Sequence, residues 1–392
     1  MSSLIYLDNA ATAFPKPDRV IDYMASFYRR YGVNPGRSGY DLSVEAGLVI
    51  DETRQRLDAF FNNPANDRNR LMFASNASDA LNMIIQGLCR PGDHVVSTQL
   101  EHNSVLRPLY VMEQDGIITH ELVPFDGQGF VDPDEIGRRI RRKTRLVVVN
   151  HGSNVLGTVQ DVAAIGRICR EREVLFAVDV AQTAGVVPID MEAMQIDVLA
   201  FTGHKSLMGP TGIGGLAVGP DVPIRSTRWG GTGVKSAVRT HLDEYPYRCE
   251  VGTLNTVGIA GLAEALRYLG ETSLADIRAH EMELTRLLTE GLADIPAVTL
   301  YCAGYDDRHL PVISCNVEGM EAGETGMFLD AEYNIATRTG LHCAPLVHEG
   351  LGTAPKGTVR FSIGPFNTRE HIESAVTAMA EIAAISKSRA SG

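Results

Sequence analysis

The chain has 392 residues, 44% of them apolar and 21% charged, with a formal net charge of −12. Such a balance belongs to a globular protein, and the length exceeds one ordinary core, so two domains are expected. The acidic surplus argues against nucleic acid or an anionic membrane as the main partner. The one basic run, Arg138 to Arg145, precedes the apolar LVVVN and reads as a solvated helix end. Six cysteines lie widely scattered without a CxxC pair, which suits reduced thiols better than a disulfide framework. The N-terminal MSSLIYLDNAATAF has no basic region followed by an apolar one, and no run is long and apolar enough to span a membrane. A cytoplasmic protein is therefore expected.

In chain order, residues 4–17 read as a short strand or extended lead ended by prolines. Asp18 to Arg30 has helical periodicity, Asn34 to Ser43 is a glycine-rich loop, and Ser43 to Phe61 is a long amphipathic helix. Leu71 to Gln86 is strand, polar turn and helix, with Ser78 and Asp79 at the helix start. Free N–H groups there make an anion site, although plain capping is the commoner use. His94 to Leu109 repeats the pattern, with Glu101, His102 and Asn103 at its turn. A histidine at such an edge is more often structural than catalytic. Strands at 117–123 and 145–150 follow, the second running into His151-Gly152-Ser153-Asn154.

The most informative stretch is Val174 to Gly215. Leu175 to Val180 reads as a strand buried on both faces, closed by Asp179 and Gln182. Val198 to Phe201 is a second strand, followed by Thr202-Gly203-His204-Lys205 and a glycine-rich return. Alone, the aspartate would be a helix cap and the lysine a solvated turn residue. Together they aim a carboxylate and an amine at the sheet edge where open α/β sheets bind ligands. Pyridoxal 5'-phosphate (PLP) needs that pair, the lysine for a Schiff base and the acid to hold the pyridine nitrogen protonated. Gly209 to Gly215 lacks the spacing of a nucleotide fingerprint, and its glycines read as a tight return.

Trp229 to Gly233 and Arg248 to Asn255 read as loops. Thr256 to Leu269 and Leu274 to Leu292 are helical. Strands Val298 to Tyr301, Val312 to Val317 and Val359 to Ile363 then mix with helices Glu321 to Tyr333 and Arg369 to Ala384. Alternating strands and helices up to about residue 220 indicate a largely parallel, doubly covered sheet, and the remainder an α+β unit. Arg338-Thr339-Gly340 is a strand end, and Leu341 to Gly352 a loop holding His342, Cys343 and His348. Cys343 admits three readings: an exposed thiol, a metal ligand with the two histidines, or a nucleophilic thiolate. Sequence neighbours tend to point apart and no second ligand pair exists, so no metal is expected. A lysine cofactor site already in the chain favours the thiolate.

These segments resemble the class-V aminotransferase family. The shared motifs are Tyr6-Leu7-Asp8-Asn9-Ala10-Ala11-Thr12, the Asn of His-x-Ser-Asn at Asn154, Asp179-x-x-Gln182, Thr202-x-His204-Lys205 and Arg248-x-Glu250-x-Gly252-Thr253-x-Asn255. Arg338-x-Gly340-x-x-Cys343 resembles the signature of the cysteine desulfurase and selenocysteine lyase branch. The resemblance implies an α/β protein of PLP fold type I. Its large domain, 16–255, would hold a mostly parallel sheet of the seven-stranded type covered by helices. A smaller α+β C-terminal domain, 256–392 with the lead 1–15, would carry the cysteine loop.

By the same resemblance Lys205 carries PLP as a Schiff base, Asp179 holds its ring nitrogen and His102 stacks on the ring. Ser78, Asp79, Thr202 and His204 belong to the phosphate side, with Thr253 reaching across a homodimer interface. Gln182 and Asn154 lie at the 3′-oxygen, Arg360 grips the substrate carboxylate with Asn154, and Ala11 lines the substrate side. Lys205, His102 and Cys343 are the implied catalytic residues. The implied reaction converts L-cysteine to L-alanine, leaves a persulfide on Cys343, and passes sulfur to an iron–sulfur scaffold or carrier. Alternatives are a selenocysteine lyase acting on L-selenocysteine, another class-V enzyme for which Cys343 is incidental, and a non-catalytic binding module.

Overall fold

The computed structural model describes residues 4–35 and 40–390, so the centre of the expected loop Asn34 to Ser43 lies outside the described residues. Seven strands form the main sheet, in the spatial order Leu71–Ala74, Gly214–Val218, Val198–Thr202, Leu175–Asp179, Thr144–Asn150, Asp93–Thr98, Ile118–Val123. Gly214–Val218 pairs antiparallel with both of its neighbours, and the other pairs of this sheet are parallel. Leu175–Asp179, Val198–Thr202 and their neighbours bury nearly every side chain, as parallel strands covered on both faces must. The register places Asn150 opposite Asp179 and Asp179 opposite Ala200. The polar ends of three adjacent strands therefore arrive at one edge.

The glycine-rich return after Lys205 begins the antiparallel strand. A Cβ at Gly214 would meet Phe201 O at 2.6 Å and the Asn76 Cα at 2.8 Å; at Gly215 it would meet Met72 O at 2.3 Å. Only glycines let this strand slide between two others beside the start of helix Ala77–Leu88. The N-terminal lead then braces the lysine turn. Thr12 Oγ1, at 3.0 Å, the Ala13 amide, at 3.1 Å, and the Lys16 ammonium all donate to the His204 carbonyl.

A second, antiparallel sheet of four strands runs Arg338–Gly340, Thr358–Ser362, Val312–Val317, Val298–Tyr301. Helices Leu274–Ala293, Ala322–Tyr333 and Arg369–Ala390 pack on it around a separate apolar cluster. Ile5–Tyr6 pairs in parallel with Ile335–Ala336. Helix Thr256–Thr272, on the C-terminal side of the expected boundary, packs instead on helices Asp18–Tyr31 and Asp41–Phe60. Ile259, Leu262 and Ala265 are buried in the core of the large sheet. Their apolar face decides the placement. The expected loop Leu341 to Gly352 also needs correction: Pro345–Leu351 is a helix, started by the proline and ended by Gly352 in the left-handed conformation.

Arg54 and Glu250 form a buried two-pronged ion pair, both contacts 2.7 Å, and Glu250 Oε1 also accepts from the Phe73 amide at 2.7 Å. Replacing Glu250 with Ala leaves the guanidinium buried without its counter-charge. We expect Glu250→Ala to lose about 3–5 kcal/mol of stability, measured by urea unfolding. A loss below about 1 kcal/mol would show that water reaches the arginine.

Candidate active site

A cavity of about 300 Å³ opens where the strand ends converge. Strand Leu175–Asp179 delivers Asp179, strand Val198–Thr202 delivers Thr202, and the turn after it delivers His204 and Lys205. The strand Thr144–Asn150 ends at Asn150, and the turn that follows carries Asn154. Helices Ala77–Leu88 and Asn103–Gln114 point their N-termini at the cavity and contribute Ser78, His102 and Ser104. Ala11, Gln182 and Arg360 complete the expected residues that line it.

The electrostatics follow from depth. The Lys205 amine sits deep among protein atoms, and burial pushes it down to about 8, against the opposing pull of Asp179. Burial raises the Asp179 carboxyl, partly offset by the Ala181 amide that donates to Oδ1 at 2.9 Å. His102 is pushed down to about 4, first by burial and then by Lys205, so it is neutral at working pH. Its Nδ1 accepts from the Ser104 amide at 3.0 Å, which leaves the ring proton on Nε2. His204 is likewise held near 4 by burial and then by Lys205.

Several buried polar atoms around the cavity have no partner among the described residues: Thr202 Oγ1, His204 Nδ1, Asn154 Oδ1, Asn150 Oδ1 and Arg360 Nε. Orphans of this kind cost stability unless a ligand or water meets them. Arg360, almost wholly buried, donates from Nη2 to Asp8 Oδ1 at 2.7 Å and from Nη1 to the Asn154 carbonyl at 2.9 Å. Its Nε has no partner among the described residues.

Cys343 does not line this cavity. It lines an adjoining depression that shares Ser78, His102 and Ser104 with it. The Asn103 amide donates to the Cys343 carbonyl at 2.7 Å, and Arg338 Nη2 lies 3.8 Å from Sγ. Two expected residues stand apart. Asp79 accepts from the Ser75 amide at 3.0 Å and pairs with Arg228 at 3.0 Å, and it does not line the cavity. Its helix position turns the carboxylate toward Arg228, while Ser78 faces the site. Thr253 is exposed and lines a different depression, beside Glu250 and Arg54.

Sequence reasoning missed Asp8, Asn76, Asn150, Ser104, Arg338 and His342 as site neighbours. A strand's last polar residue, such as Asn150, was a signal in hand. So was the helix start, since Asn76 rather than Ser78 caps it, accepting from the Asp79 amide at 3.0 Å. Asp8 carried no local signal, because its partner is 352 residues away.

A largely parallel sheet of seven strands, covered by helices and carrying a lysine and an aspartate at its edge, is the architecture of PLP fold type I. The chain belongs to the class-V aminotransferase family: a family model described as "Aminotransferase class-V" matches residues 5–374. It is 34% identical over 385 residues to a probable cysteine desulfurase of Methanothermobacter thermautotrophicus, covering 97% of this chain and 94% of that one. A cysteine desulfurase of Escherichia coli O127:H6 is 34% identical over 389 residues, covering 97% and 93%. The solved apo cysteine desulfurase from Thermococcus onnurineus NA1 superposes with a TM-score of 0.88 at 32% identity, covering 97% and 94%.

Proposed function

We propose that this chain is a PLP-dependent cysteine desulfurase that converts L-cysteine to L-alanine and keeps the sulfur as a persulfide on Cys343. The observation that carries the reading is one constellation. Lys205, Asp179 and His102 share a cavity, and Cys343 lines the depression next to it with His102 in common.

The residues fit the cofactor that the family implies. Lys205 would hold it covalently and Asp179 would meet its ring nitrogen. The unpartnered Thr202 Oγ1 and His204 Nδ1, with Ser78 and the N-terminus of helix Ala77–Leu88, would hold its phosphate. Gln182 and Asn154 Oδ1 remain for its ring hydroxyl. When bound, PLP supplies an electron sink that makes the substrate's α-carbon acidic.

The chain's own groups do the rest. Arg360 receives the substrate carboxylate through its unpartnered Nε, a charge-assisted contact that fixes the α-carbon near Lys205. Because its amine titrates near 8, Lys205 is appreciably neutral at working pH and takes the α-proton. Neutral His102 presents its Nε2 proton as a hydrogen-bond donor toward the substrate side. Cys343, as thiolate, attacks the substrate sulfur: the S–S bond forms as the substrate's Cβ–S bond breaks, Cβ gains the proton that Cys343 gave up, and Lys205 returns the α-proton to complete alanine. A thiol or an acceptor protein, such as an iron–sulfur scaffold or a carrier, then takes the terminal sulfur.

Exposure of Thr253, away from the cavity, supports a homodimer in which it serves the neighbouring site. The separate apolar cluster of the four-stranded sheet supports division into a large cofactor-binding domain and a smaller one. Among the described residues no helix is long and apolar enough to cross a membrane. The unpaired cysteines support a cytoplasmic setting.

Arg360→Lys should lower kcat/KM for L-cysteine about 10- to 100-fold, mostly through KM, since a point charge replaces a planar fork. An unchanged KM would remove Arg360 from the substrate site. The reading as a whole is tested by incubating the PLP-loaded protein with L-cysteine and a dithiol. Alanine and sulfide should appear in equal amounts. Pyruvate with ammonia, or no sulfide at all, would overturn it.

A further inference from the structure

We propose that Asn154 is a positioning residue for the nucleophile. Its side-chain amide ties the turn that bears Cys343 to the wall of the cofactor cavity. The proposal rests on the reading of Cys343 as the sulfur acceptor and adds what holds that sulfur in place.

The cysteine sits on an unusual backbone. Gly340 has φ +99°, and His342 and Cys343 follow with φ +48° and +60°. Two successive left-handed residues with side chains cost about 1–2 kcal/mol each, so contacts from outside the turn must hold them. Besides Arg338 beside Sγ, three residues anchor the turn by hydrogen bonds. The Asn103 amide donates to the Cys343 carbonyl at 2.7 Å. The His342 ring donates from Nε2 to the Thr358 carbonyl at 3.1 Å. Asn154 Nδ2 donates to the His342 carbonyl at 2.7 Å and is the one donor to that oxygen among the described residues.

Of the three, Asn154 alone also bonds Arg360. Its Oδ1 is buried and unpartnered at the cavity, and its backbone carbonyl receives Arg360 Nη1 at 2.9 Å. The segment that carries it is itself fixed, since Gly157 N bonds Ser153 O at 3.1 Å and Leu156 N bonds Ser153 Oγ at 3.1 Å. One short, rigid turn therefore sets the cavity wall, the orientation of Arg360 and the backbone of the sulfur-bearing turn. A carboxylate in place of the amide would keep the cavity-facing oxygen and lose the donor to His342. That makes Asn154→Asp the discriminating substitution.

The test uses the full-length, PLP-loaded protein as wild type, Asn154→Asp and Asn154→Ser. Hydrogen exchange is followed at residues 341–344, and alkylation of Cys343 by iodoacetamide is mapped by mass spectrometry. In both variants exchange at 341–344 should quicken about 5- to 100-fold, as expected for a buried carbonyl left without its donor. Alkylation of Cys343 should change at least about 3-fold, and kcat for sulfur release should fall more than KM rises. Exchange in strand Leu175–Asp179 should stay at the wild-type rate, which reports that the fold is intact. If Asn154→Asp does not fold, Asn154→Ser carries the same comparison. Wild-type exchange and alkylation rates in a folded variant would overturn the proposal. These two rates need no turnover. Retained turnover in Cys343→Ala would therefore defeat the desulfurase reading separately, without touching them.

Discussion

Cys343→Ala is expected to keep the bound cofactor's absorbance and to lose sulfur release by at least about 10³-fold, some 4 kcal/mol of barrier. The first half follows from the cavity, whose lining residues include Lys205, Asp179 and His204 but not Cys343. The second follows from the chemistry: without a thiolate beside the substrate sulfur, the Cβ–S bond has no partner to which sulfur can pass. Cys343 is only half-buried, so the substitution should leave the unfolding midpoint nearly unchanged. Alanine formation at the wild-type rate would assign the site to a different class-V reaction in which Cys343 is incidental.

Lys205→Ala is expected to abolish covalent cofactor attachment and to reduce turnover by at least about 10³-fold. The residue serves both as anchor and as the base at the α-carbon, and general-base catalysis alone supplies about 10²- to 10⁴-fold. Borohydride reduction followed by peptide mapping should tag Lys205 in the wild type and nothing in the variant. A tag on another lysine would contradict the assignment. The cofactor-free protein offers a second check, with a definite sign. Burial lowers the Lys205 amine from 10.5 to about 8, so between those values the unfolded chain binds the extra proton. Wild-type stability should therefore rise with pH across that window relative to Lys205→Ala. No slope would place the amine in solvent, and the opposite slope would mean an ammonium stabilised by the fold.

Much of this site was legible because buried parallel strands announce their ends. Asp179 and Thr202 close apolar runs with polar residues, and adjacent parallel strands bring such ends to one edge. The reading weakened where chemistry depends on distant partners. Nothing local links Asp8 to Arg360, or Asn154 to the carbonyl of His342, 188 residues on. Helix Pro345–Leu351 is hidden in the sequence because proline and glycine also punctuate loops, although proline at the start and glycine just past the end are helix boundaries. Helix Thr256–Thr272 was legible as a helix, but which core it joins depends on helices at the other end of the chain.

The most direct test of the central claim is the mass of the Cys343 peptide after the PLP-loaded enzyme meets one equivalent of L-cysteine without reductant. A gain of one sulfur atom on Cys343 is expected, matched by one equivalent of alanine. Alanine formed with Cys343 unmodified, or the sulfur found on another cysteine, would contradict it.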